Sequence, residues 1–150
     1  MRVVVQRVNY ARVEVESRWV GEIGMGLLIL CGFEEGDTEQ DLEWISGKIS
    51  RLRIFNDENG VMNLSIKDVH GEILSVSQFT LHASTKKGNR PSYIRAMNPE
   101  MAAKFYEKFN HLLKSELGIN IKTGIFGAHM KVALENDGPV TIIIDSKNKE

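Results

Sequence analysis

The stretch GLLILCGF, residues 26–33, holds the longest apolar run of the chain and predicts a strand that is buried in a sheet. Upstream of it, residues 1–25 alternate between apolar and polar side chains, as in VEVE at residues 13–16. This two-residue period is typical of strands with one buried and one exposed face. The first 33 residues therefore predict four short strands.

Residues 37–53 change to the spacing of an amphipathic helix. The apolar residues that share one helical face are Leu42, Ile45, Ile49 and Leu52. Asp37 and Gln40 have the spacing of a capping box, in which two polar residues satisfy free N–H groups at a helix start. Acidic residues fill the first turn and basic residues the last, as the helix dipole prefers. This segment therefore predicts the first helix.

Residues 98–118 predict a second helix with clear start and stop signals. Asn98 suits the N-cap, Pro99 suits the first helical position, and Gly118 follows the last turn. The predicted apolar face of this helix consists of Met101, Phe105, Phe109, Leu112 and Leu113.

Turn signals divide the remaining chain into short strands. Asn59-Gly60 predicts a hairpin turn, and residues 72–81, EILSVSQFTL, predict a strand. Asp137-Gly138 also has the composition of a tight hairpin turn. Pro139 follows it and has no N–H for a sheet, but proline is tolerated at the first position of a strand, here residues 139–145.

Two helices and eight or nine strands without βαβ alternation predict an α+β fold with largely antiparallel sheets. A chain of 150 residues can bury a full core, so we expect one domain, residues 1–150, without metal or disulfide support. Residues 147–150, KNKE, are expected to form a frayed tail.

The composition excludes a membrane-spanning or disulfide-rich protein. No apolar run approaches the ~20 residues that cross a bilayer. The N-terminal sequence MRVVVQRVNY has no signal-peptide cleavage site, and the lone Cys31 cannot form an intramolecular disulfide. We therefore expect a cytoplasmic protein in which Cys31 is a buried core thiol.

Charge is balanced over the chain but not locally. The net charge of −1 excludes capture of nucleic acid by the molecule as a whole. Residues 86–95, KKGNRPSYIR, carry four basic side chains and no acidic one, and we call them the basic loop. They are either a solvated loop or a loop that contacts phosphates.

The common catalytic motifs are missing from the sequence. There is no nucleophile elbow, zinc-protease motif, Walker loop or dinucleotide fingerprint, and the four histidines lack metal-ligand spacing. On an extended strand Ser77 and His82 would face opposite ways, which disfavours a Ser–His pair. Gln78, Phe79 and Thr80 are either the solvated part of a strand or a source of hydrogen-bond donors for an oxyanion.

Two motifs nevertheless resemble a known family. SQFTL at residues 77–81 and NDGPVT at residues 136–141 are similar to the motif pair of the D-aminoacyl-tRNA deacylases. The segments MRVVVQRV, GLLILCGF, LRIFND, GNRPSY and TGIFGAHM follow the order of that family over almost the whole chain. The resemblance implies a barrel-like deacylase fold, a cytoplasmic homodimer with active sites at its interface, and no metal or cofactor.

The implied activity is hydrolysis of the ester that links a D-amino acid to the terminal adenosine of tRNA. Glycine mischarged on tRNA(Ala) is expected to be cleared as well. In the family a cis Gly-Pro peptide, here Gly138-Pro139, enters the partner's pocket and blocks L-amino acids by its backbone carbonyls. Arg7 would hold this segment by hydrogen bonds to its carbonyls.

The resemblance also assigns roles within the pocket. Ser77, Gln78, Phe79 and Thr80 would form its floor, and Phe79 and Thr80 would donate hydrogen bonds to the developing oxyanion. The adenosine would lie against Phe126 and Met130. In the basic loop, Lys86, Lys87 and Arg90 would contact tRNA phosphates. We expect the ribose 2′-OH to help activate water, because no base adjoins Thr80 in the sequence.

An alternative from another class is a non-catalytic, β-rich dimer that binds an RNA 3′ end through the same loop and pocket. A metal-dependent hydrolase is disfavoured by the missing ligand spacing.

Overall fold

A computed structural model describes all residues of the chain, 1–150. It contains eight strands, two helices and one 3₁₀ turn. In chain order they are β1 Arg2–Val15, β2 Arg18–Ile23, β3 Gly26–Gly32, α1 Glu39–Arg51, β4 Phe55–Asn56, β5 Met62–Leu64, β6 Glu72–Ser77, the 3₁₀ turn Phe79–His82, α2 Pro99–Leu117, β7 Lys122–Thr123 and β8 Lys131–Asp145.

Strand β1 is the centre of the main sheet. On one edge its first half pairs with β3 and its second half pairs with β2. Along its other edge it pairs with β8, and all three pairings are antiparallel. The prediction of four short strands in residues 1–33 is therefore wrong, since the first two form one strand of 14 residues. The alternation breaks at the exposed residues Asn9 and Tyr10, where the register with β8 shifts, and this break looks like a strand end in the sequence.

Strand β8 corrects the prediction of a hairpin turn at Asp137-Gly138. Gln6 pairs with Thr141, and Val8 pairs with Asn136, so residues 137–140 bulge out of a strand that continues on both sides. The turn-forming residues make a bulge here because both flanking segments pair with the same partner, β1. Pro139 lies in this bulge and not at the start of a strand.

Two pairings are parallel, which corrects the prediction that βαβ alternation is absent. Strand β6 lies parallel to β3, and β7 lies parallel to β6. Parallel neighbours need a long crossover, and α1 and α2 lie within these two connections. The hairpin β4–β5 lies between α1 and β6, so the first crossover does not read as a simple strand–helix–strand pattern in the sequence. The uninterrupted apolar run of β3 was the available signal, because strands buried on both faces lack alternation.

The predicted fold class is confirmed. Four of the six strand pairings are antiparallel. Strand β2, at one end of the strand order, contacts β6 and β7 at the other, which brings the sheet close to a closed barrel. Neither helix is long and apolar enough to cross a membrane.

Both helices form where the sequence predicts them, with one shift at the start of α1. Its capping box uses Thr38 and Asp41, not Asp37 and Gln40. Asp37 instead forms a buried ion pair with the amino group of Met1 and accepts a hydrogen bond from the N–H of Glu34 (2.8 Å). Because Asp37 binds the amino group of Met1, the N-cap of α1 is Thr38, one residue later than predicted.

Helix α2 has the predicted caps, because Asn98 accepts a hydrogen bond from the N–H of Glu100 (3.0 Å) and Gly118 is left-handed. Met101 departs from the predicted apolar face and is exposed.

The main core lies between the sheet and the two helices. It contains 21 buried hydrophobic residues, including Leu27, Ile29 and Cys31 of β3. Burial raises the pKa of the Cys31 thiol to about 12, so it is protonated at neutral pH. Its assignment as a core thiol is confirmed.

Candidate active site

A cleft of about 400 Å³ opens where β6 ends, close to the start of α2 and of β8. We call it the Ser77 cleft. Its lining residues are Val76, Ser77, Gln78, Phe79, Pro99, Phe126, Gly127, Ala128, His129, Met130 and Val132. Five predicted site residues therefore meet in one cleft from segments that are about fifty residues apart in the chain.

The backbone turns sharply at Gln78, which corrects the predicted strand 72–81. Strand β6 ends at Ser77, and Phe79–His82 form the 3₁₀ turn. The N–H of Gln78 still donates to the carbonyl of Cys31 (2.7 Å), as the last bond beside β3. The turn then packs on Gly32, where a Cβ atom would lie 2.7 Å from the carbonyl oxygen of Gln78. Glycine at the end of β3 thus allows the turn to approach.

The strand on which Ser77 and His82 were predicted to face opposite ways ends at Ser77. His82 is buried at the end of the turn, and its Nδ1 lies 3.8 Å from Glu34 Oε2. Burial lowers the pKa of His82, so it is neutral at neutral pH. His82 does not line the Ser77 cleft.

The 3₁₀ turn presents donors at its start. The first N–H groups of a helix have no acceptor within it. The N–H of Leu81 donates to Gln78 (3.2 Å), which leaves those of Phe79 and Thr80 without an acceptor inside the turn. The Thr80 hydroxyl accepts a hydrogen bond from the side-chain amide of Gln78 (2.6 Å).

Arg7 binds the β8 bulge through hydrogen bonds and an ion pair. Its buried guanidinium donates to the carbonyls of Asp137 (3.1 Å) and Ile54 (2.7 Å). It also forms an ion pair with the Asp137 carboxylate (3.1 Å). Gly138 has φ +127°, the Gly138-Pro139 peptide is cis, and both residues are exposed. Neither Arg7 nor these two residues line the Ser77 cleft of their own chain.

The basic loop lies outside the cleft. Two hydrogen bonds between Ser84 and Ser92 (2.8 and 2.9 Å) close it, and Lys86, Lys87 and Arg90 are exposed on it. The fourth basic residue, Arg95, binds Glu34 (2.6 Å). Three of the four cations therefore remain free for a partner.

A family model described as D-Tyr-tRNA(Tyr) deacylase matches residues 4–145. The chain belongs to the D-Tyr-tRNA(Tyr) deacylase family. This confirms the resemblance carried by SQFTL and NDGPVT, and it identifies the chain as a hydrolase acting on aminoacyl-tRNA.

Relatives of this deacylase family match over their full length. A D-aminoacyl-tRNA deacylase of Flavobacterium psychrophilum is 61% identical over 150 residues, which is 100% of both chains. A protein of the same name from Dechloromonas aromatica is 58% identical over the same span.

Two solved structures share the deacylase fold. One, titled c-Myc DNA Unwinding Element Binding Protein, superposes with a TM-score of 0.90 at 44% identity and covers 97% of this chain and 98% of its own. The other, a probable eukaryotic D-amino acid tRNA deacylase, has a TM-score of 0.82 at 18% identity and covers 95% and 97%.

One ionisable residue of the Ser77 cleft, His129, was not predicted from the sequence. His129 is the only ionisable side chain in the lining. It lies within TGIFGAHM between Phe126 and Met130, which were predicted, so its position in that motif was the available signal. Among the described residues 1–150, no three His, Cys, Asp or Glu side chains are grouped so that they could hold a metal ion.

Proposed function

We propose that the protein hydrolyses the ester of D-aminoacyl-tRNA in the Ser77 cleft and rejects L-aminoacyl-tRNA. The observation that carries the proposal is the meeting of Ser77, Gln78 and Phe79 with Phe126 and Met130 in one cleft of a chain that belongs to the deacylase family. The cleft volume of about 400 Å³ lies within the range of roughly 300–1,000 Å³ that is usual for ligand pockets.

In this proposal the 3₁₀ turn stabilises the oxyanion. The N–H groups of Phe79 and Thr80 receive the charge that develops on the ester carbonyl. One such donor is typically worth ~2.7–4 kcal/mol in the transition state. The ribose 2′-OH of the substrate helps to activate water, so the protein contributes position and charge stabilisation and needs no metal or cofactor.

Chirality is read by the Gly138-Pro139 segment of a partner subunit. The support is that this segment is exposed, is held by Arg7, and does not line the cleft of its own chain. Strand β8, which carries it, pairs only with β1, so its other edge is free for a second copy. A homodimer therefore completes two sites.

The backbone of this segment excludes L-amino acids by steric conflict at the α-carbon. A D-amino acid directs its side chain away, and glycine has no side chain to exclude. The same cleft therefore also clears glycine from tRNA(Ala), and it accepts D-amino acids of different size.

The basic loop binds the tRNA body. The exposed Lys86, Lys87 and Arg90 neutralise acceptor-stem phosphates, with little dependence on sequence. The reaction belongs in the cytoplasm, where charged tRNA is used.

The test is ester loss from D-Tyr-tRNA, L-Tyr-tRNA and Gly-tRNA(Ala), each with purified protein and EDTA. We expect turnover of the D- and glycyl-tRNA only, unchanged by the chelator. No turnover of D-Tyr-tRNA would refute the enzyme proposal, and loss of activity in EDTA would support a metal-dependent hydrolase.

A second candidate is binding of nucleic acid without catalysis. The solved structure with 44% identity is of a protein that is named for DNA binding. The free cations of the basic loop favour a nucleic-acid partner here as well. Binding of uncharged tRNA or DNA with no hydrolysis of any aminoacyl-tRNA would favour this candidate.

A further inference from the structure

Two aromatic rings contact each other on the surface at the mouth of the Ser77 cleft. The rings of Phe79 and Tyr93 meet edge to face, with centroids 5.0 Å apart and an angle of 71° between their planes. Phe79 is 58% exposed and Tyr93 is 40% exposed. We call them the aromatic pair. Two large rings that pack on each other in solvent form a preformed apolar surface that a partner can contact.

The position of the aromatic pair joins the two features that the proposed function uses. Phe79 lines the Ser77 cleft, and Tyr93 belongs to the basic loop. The pair therefore connects the cleft to the loop that carries the cations Lys86, Lys87 and Arg90. A nucleotide chain that leaves the cleft over Phe79 therefore meets Tyr93 of the basic loop.

The pair is held in place from both sides. Phe79 begins the 3₁₀ turn, in which the carbonyl of Leu81 accepts a hydrogen bond from Arg2 and the carbonyl of Thr80 accepts one from the N–H of Ala83. Two residues beyond Tyr93, the guanidinium of Arg95 binds Glu34 (2.6 Å) and its carbonyl accepts a hydrogen bond from the N–H of Glu35 (3.0 Å). Tyr93 is thus fixed at its C-terminal side, and the Ser84–Ser92 bonds fix it at its N-terminal side.

Aromatic rings beside a row of cations are the usual surface for single-stranded nucleic acid, because bases stack on the rings and phosphates meet the cations. We propose that the aromatic pair is a stacking site for the unpaired nucleotide that precedes the terminal adenosine of tRNA. The inference rests on the proposed function, in which that adenosine occupies the Ser77 cleft. It adds a contact for the cytidine next to it, outside the cleft.

The experiment compares substrates with and without that nucleotide. Tyr93→Ala is assayed on D-Tyr-tRNA and on D-tyrosyl-adenosine, which lacks it. We expect kcat/KM for the tRNA to fall about 5- to 150-fold, as for loss of one stacked base, and kcat/KM for D-tyrosyl-adenosine to stay within about twofold. Tyr93→Phe keeps the ring and is expected to keep both activities.

Ile94→Ala is the matched control. Ile94 is the next residue in the loop and is 85% exposed, but it is not part of the aromatic pair. We expect no change with either substrate. Equal loss on both substrates with Tyr93→Ala would overturn the proposal, because Tyr93 would then act only by holding Phe79. An unchanged kcat/KM on the tRNA would overturn it as well.

A binding measurement separates this inference from the proposed function. We expect Tyr93→Ala to weaken binding of the uncharged trinucleotide CCA but not of adenosine monophosphate. If the wild-type protein hydrolyses no aminoacyl-tRNA and still binds CCA through Tyr93, the stacking site stands and the proposed function falls. If Tyr93→Ala leaves CCA binding intact but changes the sedimentation of the protein, the pair is a protein contact and the inference falls.

Discussion

At the β8 bulge, the backbone conformation and the available space both require glycine at position 138. Its φ of +127° lies in the region that L side chains rarely adopt. A Cβ atom at this position would lie 2.8 Å from Val140 Cγ2 and 3.1 Å from Arg7 Nη2. Only glycine satisfies both the backbone angle and the space above Arg7.

Gly138→Ala is therefore expected to lower the free energy of unfolding by about 1–3 kcal/mol, since that is the usual cost of a strained backbone position. We expect kcat/KM on D-Tyr-tRNA to fall about 10-fold or more, because the Gly138-Pro139 segment shifts. Deacylation assays and chemical denaturation measure the two effects.

Gly60→Ala is the control, because Gly60 also has positive φ (+76°) but has no neighbour within 4 Å. It is expected to lose stability and to keep activity. Full activity of Gly138→Ala with unchanged discrimination between D- and L-Tyr-tRNA would contradict the proposal that the Gly138-Pro139 segment excludes L-amino acids.

Substitution of Thr80 tests whether its hydroxyl attacks the ester. Thr80→Ala removes the hydroxyl that accepts from Gln78 but keeps the main-chain N–H. We expect kcat to fall about 10-fold, the equivalent of one hydrogen bond, and Thr80→Ser to retain most of it. Single-turnover assays on D-Tyr-tRNA measure this. Complete loss in a folded Thr80→Ala protein would point to covalent catalysis by the hydroxyl.

Among the structural elements, the 3₁₀ turn and the basic loop are connected by Glu34, which contacts both. It is buried between His82, the last residue of the turn, and Arg95, the last residue of the loop. Burial alone would raise the pKa of Glu34, but the hydrogen bond and charge of Arg95 outweigh it and hold the pKa below its ordinary value of 4.5. Glu34 therefore stabilises the fold in its charged form.

Glu34→Gln is expected to lower the free energy of unfolding by about 1 kcal/mol at pH 7, a modest value because Arg95 is half exposed. Because the folded pKa is depressed, the contribution is fully present above about pH 4.5 and is lost as the pH falls through the lower folded value. The difference between wild type and variant should thus close in acid. Urea denaturation at pH 7 and pH 3 checks this, and a constant difference would contradict it.

The helices and the hairpin β4–β5 were predictable because their signals are local. Capping residues, helical spacing and Asn59-Gly60 act within a few residues of each other. The end of β6 at Ser77 was not predictable, because it depends on Gly32, a residue of another strand. The single long strand β8 depends likewise on continuous pairing with β1 on both sides of the bulge.

For the whole molecule, the free edge of β8 is the expected dimer contact. Ile143 is 68% exposed on this strand. Ile143→Lys places a charge on the surface that the proposed dimer covers, so we expect monomers and loss of deacylation, since each cleft would lack its partner's Gly138-Pro139 segment.

Analytical ultracentrifugation and activity assays measure both effects together. Val61→Lys changes an equally apolar residue, 58% exposed in the β4–β5 connection, and should leave the dimer and the activity intact. A wild-type monomer with full activity would refute the shared site.

The sequence by itself determined the residue types of the candidate site, the two helices and the family, because motifs and periodicity are properties of neighbouring residues. Only the tertiary structure decided that β3, β6 and β7 run parallel, that residues 79–82 turn away from the strand, and that residues 137–140 form a bulge. It also decided which predicted residues share the Ser77 cleft and which do not. The physical reason is that these features depend on contacts between residues far apart in the chain, such as Arg7 with Asp137 and Gly32 with Gln78.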